Sequence, residues 1–195
     1  MELRKKNVSR ILLVFIYVGV LFLLGLNWFY HFSFISINKS ISYNADNMVV
    51  KQYQKDLKDF KNSYNKVLNK APKDNLTIQR TQYIIQMYDQ PWLTSTKPTQ
   101  MKYQELDTIL FEVKEARRIL TELAIQETYS KDAKGFLKLT LENCSLIEEN
   151  LEEILDSKSH SRSNLNSQLH ILHMSFMSNF DIFKSFYEYE EYKIE

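Results

Sequence analysis

The stretch LNSQLHILHMSFMSNFDIFKSFY, residues 165–187, places Leu165, Leu169, Leu172, Phe176, Phe180, Phe183 and Tyr187 three or four positions apart. That spacing keeps one side of an α-helix apolar. The seam slips by one extra residue between Phe176 and Phe180, a stutter that locally relaxes supercoiling.

Three earlier segments carry the same signal. The first runs Val50, Tyr53, Leu57, Phe60, Tyr64, Val67, Ala71, with Lys51, Lys55, Lys58 and Lys61 on its solvent side. It stops at Pro72, where Asp74 or Asn75 can cap the next helix. The second runs Leu106, Ile109, Val113, Ala116, Leu120, Leu123. The third runs Leu137, Thr140, Cys144, Ile147, Leu151, Ile154, after a turn capped by Asp132 or Ser130. A weaker, shorter segment lies at 75–90, and 91–98 reads as a loop bracketed by two prolines.

Four half-apolar helices can close around one core, so the expected fold class is all-α, an antiparallel bundle of four to five helices. The breaks at Pro72, Pro91, Pro98 and 157–164 favour folding back over one long coiled-coil rod. With four long helices running up and down, the last would return its end to where the bundle begins. The glycine count agrees: of three, only Gly135 lies beyond residue 25, few for the tight hairpins of a β or α/β domain.

The N-terminus has a different character. No charge interrupts residues 11–30, and twenty helical residues rise about 30 Å, a hydrocarbon core. A cleaved leader has a shorter apolar part, roughly 7–15 residues, then small residues. Here Trp28, Phe29 and Tyr30 follow, suited to a membrane interface. Arg4, Lys5, Lys6 and Arg10 precede the run, and the next Lys or Arg is Lys39. Such charges stay on the cytoplasmic side. The expected organisation is a cytoplasmic basic segment (1–10), a single-pass signal-anchor helix (11–30), a juxtamembrane segment (31–43) and an extracytoplasmic bundle (44–195). Lysine, asparagine, isoleucine and tyrosine richness suits an AT-rich bacterial genome.

Composition narrows the chemistry. The net charge of +1 gives no argument for nucleic acid, and the single Cys144 cannot form an internal disulfide. Nucleophile elbow, phosphate loop and zinc-protease helix are all missing from the sequence. No enzyme and no cofactor are expected.

Three features remain as candidate sites. His170 and His173 share a helix edge at i, i+3, and a hairpin near His160 would bring them toward Glu148 and Glu149. His170, His173 and Glu149 can then hold a metal, or sense pH. The plainer reading is two flank histidines. The run ENCSLIEENLEEILD holds Glu148, Glu149, Glu152 and Glu153 without a Lys or Arg. It is either the complement of a basic helix face or a docking face for a basic partner. Phe186, Tyr189 and Tyr192 exceed what the last seam needs and can meet a partner or a membrane surface.

The layout resembles the sensor half of bacterial chemoreceptors and some histidine kinases: an anchor, then a helical bundle outside. Those receptors add a second span and an output domain, and no such segment is read here. The expected function is therefore a non-enzymatic interaction, adaptor or regulatory module, acting on another membrane or envelope protein or on its own copies. The alternative is a sensor subunit that binds a small ligand or metal and signals through a membrane partner.

Overall fold

The structure, a computed structural model, describes residues 13–25, 40–70, 72, 75–156 and 161–191. Helix α1 covers 13–25. Strand β1 (Ser40–Tyr43) leads into α2 (Asn47–Leu68), α3 (Leu76–Tyr88) and a single turn α4 (Pro91–Thr94). Strand β2 (Thr99–Lys102) precedes the long helices α5 (Tyr103–Gln126), α6 (Lys131–Asp156) and α7 (Arg162–Glu191).

The helices start where the caps allow. The Asp46 carboxylate accepts from the Met48 N–H at 2.7 Å and opens α2. Asn75 accepts from Ile78 N–H at 3.0 Å and opens α3. The Ser130 hydroxyl accepts from Ala133 N–H at 3.1 Å and opens α6. Each satisfies an amide that the helix itself cannot.

All four expected seams face inward. Val67 alone among their described members is only partly buried, and Ala71 lies outside the described residues. Cross-helix contacts fix the directions. Arg117 meets Glu148 and Lys114 meets Glu152, so α5 and α6 are antiparallel. Cys144 meets Asn179 and Glu153 meets Gln168, so α6 and α7 are antiparallel. Arg80 to Glu122 and Gln90 to Glu112 set α3 against α5 in the same way. Tyr53 bonds the Tyr88 carbonyl and Tyr64 the Ile78 carbonyl, which sets α2 against α3. In contrast, Tyr53 packs on Phe180 and Tyr64 on Tyr187, so α2 and α7 run parallel.

That parity corrects one expectation. The short α3 is a full member of the bundle, so five helices alternate instead of four. The end of α7 therefore lies at the opposite end from the start of α2, and does not return to it.

Two four-residue strands are a second correction. β1 pairs antiparallel with β2 in the register Ile41 to Met101 and Tyr43 to Thr99. The end of the expected juxtamembrane segment thus belongs to the folded body, with Ile41 and Tyr43 buried. The expected 91–98 loop contains α4, with Pro91 at a first-turn position that needs no N–H.

Among the described residues no helix is long and apolar enough to cross a membrane. Helix α1 over 13–25 spans about 20 Å at 1.5 Å per residue, short of a hydrocarbon core of about 30 Å. Arg4, Lys5, Lys6, Arg10, Trp28 and Tyr30 lie outside the described residues. Every side chain from Leu13 to Leu24 is exposed.

Candidate functional site

The expected histidine–carboxylate set does not come together. His173 is 2% exposed, whereas His170 and Glu149 are both exposed on the surface. A step of three residues turns a helix by about 300°, enough to put one ring in the core and the other outside it. Among the described residues no three His, Cys, Asp or Glu are placed to hold a metal.

His173 instead closes an aromatic cage. Its ring lies 5.6 Å from Tyr43 of β1 and 5.5 Å from Trp92 of α4, centre to centre. Burial pushes its pKa down, partly offset by the nearby Leu93 backbone, while His170 adds a small push in the same direction as burial. Nε2 is buried without a hydrogen-bond partner among the described residues. The Tyr43 hydroxyl is likewise buried and has no partner among the described residues, and burial raises its pKa to about 12.

The acidic run is partly engaged in contacts between helices. Glu148 is 7% exposed and takes both ends of the Arg117 guanidinium, at 2.5 and 3.2 Å. Lys114 Nζ reaches Glu152 at 2.6 Å, and Gln168 donates to Glu153 at 3.0 Å. Part of the acidic run is therefore a helix–helix seam, while Glu149, Glu152 and Glu153 remain exposed. The basic partner is α5, through Lys114 and Arg117.

The aromatic end divides similarly. Phe186 is fully buried, 5.1 Å from Tyr129 and 6.1 Å from Phe183 between ring centres, so it is core and not a docking residue. Tyr189 is 47% exposed and leans on Phe136 at 5.3 Å. Tyr192 lies outside the described residues. Cys144 is buried, accepts from Asn179 Nδ2 at 3.2 Å, and burial pushes its thiol up to about 12. Such a thiol is almost wholly protonated at neutral pH, so it is a poor nucleophile.

The feature that sequence reasoning missed is a groove of about 410 Å³ between α4, β2 and α5. Trp92, Met101 and Ile109 form its floor, with Pro91 at one side. One wall is braced by a relay: Trp92 Nε1 donates to Gln90 Oε1 at 2.6 Å, and Gln90 Nε2 donates to Glu112 at 2.5 Å. Gln90 is 6% exposed, so this relay holds the Glu112 carboxylate at the groove's edge. Glu105 stands at the other end, accepting the Lys102 N–H at 2.9 Å. A second groove, of about 370 Å³ between α3 and α5, shares Glu112 with the first and is lined with ion pairs: Arg80 pairs with Glu122, and Arg118 with Glu115 and Glu122.

Comparisons with family models, curated proteins and solved structures each find no match to this chain.

Proposed function

We propose that the chain is a membrane-tethered interaction module, acting without catalysis on a membrane or envelope protein from the outer side. One observation carries the reading. Residues Leu13 to Leu24 form helix with every side chain in the open, Phe15 at 73% and Phe22 at 65%, while the bundle fills its own core from other residues. At about 25 cal/mol per Å², a helix apolar all round is costly in water and stable in lipid. The apolar sequence runs on to Tyr30, which supplies the length for a span. Arg4, Lys5, Lys6 and Arg10 supply the direction, N-terminus inside.

The absence of catalysis is a reading of chemistry. Cys144 is buried and protonated, His173 is enclosed and held neutral, and Glu148 is tied to Arg117. What the surface offers is grooves, which favours binding.

The test is made in a bacterial host with the full chain. Membranes washed with alkaline carbonate should retain the protein, and a phosphatase fused after Glu195 should be active outside the cell. Release by carbonate, or reporter activity only inside, overturns the tether. Crosslinking in the membrane and mass spectrometry of the captured species should then return a reproducible membrane or envelope protein. Recovery of the chain alone would overturn the hetero-partner part of the proposal.

A further inference from the structure

We infer that the α4–β2–α5 groove takes an extended peptide with an apolar centre and basic flanks, added as a third strand on β2. This deepens the interaction reading and rests on it for its biological setting.

The argument begins with the backbone. Among the described residues β2 has β1 on one side only. Lys102 gives its N–H to the Glu105 carboxylate and not to β1. Amides along a strand point alternately to either side, so Gln100, two residues away, also turns its N–H and C=O away from β1. Thr99 and Met101 point toward β1. No backbone hydrogen bond from outside the ribbon reaches Gln100 among the described residues. No residue of β1 lines the groove, whereas Thr99, Gln100 and Met101 do, so the groove opens on this free edge. An added strand needs one such donor–acceptor pair beside pockets for alternate side chains.

The side chains select the occupant. Trp92, Met101 and Ile109 make an apolar floor for one inward-facing residue. Glu105 and Glu112 flank that floor, and among the described residues neither is in an ion pair and the lining holds no Lys, Arg or His. Seven residues along a helix separate them by about 10.5 Å. In a strand, residues i−2 and i+2 share a face and lie about 13 Å apart. Two lysines on either side of a central valine thus match the two carboxylates, with side-chain reach to spare. The neighbouring α3–α5 groove shares Glu112 but also carries the Arg80 and Arg118 guanidinium groups, which pair with its Glu115 and Glu122 and would repel a basic peptide.

The probe is the blocked peptide Ac-Lys-Thr-Val-Thr-Lys-NH2, titrated into the full chain in detergent. Trp28→Phe leaves Trp92 as the sole tryptophan, so its emission reports on the groove floor. Saturable binding is expected, with at least a fivefold loss for Glu112→Gln and no binding of the peptide with Glu in place of Lys. Gln100→Pro removes only the outward amide, a change an edge strand tolerates. It should weaken binding by about fivefold or more, the size of one hydrogen bond, without shifting the melting temperature. If that variant melts early, methylating the valine nitrogen and each threonine nitrogen of the peptide in separate probes makes the same cut from the other side, at whichever residue bonds Gln100. Equal binding of all the methylated peptides, equal binding of the acidic peptide, or no saturable binding overturns the inference. Failure of the tether would appear in the carbonate wash and leave this titration unchanged.

Discussion

At the scale of single residues, the most informative group is Glu148, because its surroundings choose between its two sequence readings. The carboxylate side chain is 10% exposed and its Arg117 partner 43%. Removing either breaks the same contact but strands a different charge. Arg117→Ala leaves a carboxylate with little water, which should cost about 3 kcal/mol. Glu148→Ala leaves a guanidinium that can rehydrate, and should cost about 1 kcal/mol. Urea unfolding of the two variants checks the order. Equal losses would mean that Glu148 is better hydrated than its burial implies.

His173 gives a second prediction at this scale. Burial lowers its folded pKa below the ordinary 6.5, so the fold prefers the neutral ring. The unfolded chain takes up a proton near pH 6.5 and the folded chain does so only at lower pH. Its contribution to stability is therefore fully present above that value and is lost as the pH falls below it. From the elements packed on it, the titratable group facing the ring is Tyr43, which stays neutral throughout this range; His170 lies on its own helix. Melting temperature should fall between pH 7.5 and 5.5, and the fall should be smaller in His173→Gln. An identical slope in the variant would assign the dependence to other groups.

At the scale of elements, α7 organises the core. Phe180 touches Tyr53 and Phe60 of α2 and Tyr88 of α3, with ring centres 5.3–5.7 Å apart. Phe180→Ala should cost about 3–5 kcal/mol, since three rings lose one partner and the site cannot fully collapse. Ile171→Ala, on the same helix at 56% exposure, should stay within about 0.5 kcal/mol. Guanidinium unfolding of both gives the contrast, and comparable losses would mean that Ile171 is covered in solution. The four seams were legible because a period of 3.6 repeats over many turns, and each turn adds evidence. β1 and β2 were not, because SISY and TQMK are four residues each and pair across a separation no local pattern encodes. Only the inward alternation of Ile41 and Tyr43 hinted at a strand. The Arg117–Glu148 bond was hidden for a related reason: the acids were visible as a run, but which helix faces them is set by packing order. Trp92 looked like loop because proline brackets it, yet that same Pro91 starts the turn that aims Trp92 at His173.

At the scale of the whole molecule, direction follows from counting helices. α2 begins next to β1, at the end where the chain enters the bundle, and α7 runs parallel to α2. If the apolar N-terminal run is a tether, its continuation to residue 40 meets the bundle at the β-ribbon end. The end of α7 then points away from the bilayer. Met48, 79% exposed in the first turn of α2, and Tyr189, 47% exposed in the last turn of α7, mark the two ends. Helix α2 alone is about 33 Å long, so the two positions should differ in distance from lipid by about that much. Single spin labels at Met48→Cys and Tyr189→Cys, in a Cys144→Ala background and reconstituted vesicles, measure it through relaxation by a lipid-bound paramagnet. The label at 48 should relax faster and the label at 189 should be near its value in free solution. Equal relaxation at both sites would mean that the bundle lies flat on the bilayer. Stronger relaxation at 189 would mean that the tether enters from the other end, and the five-helix parity would no longer set the orientation of the protein.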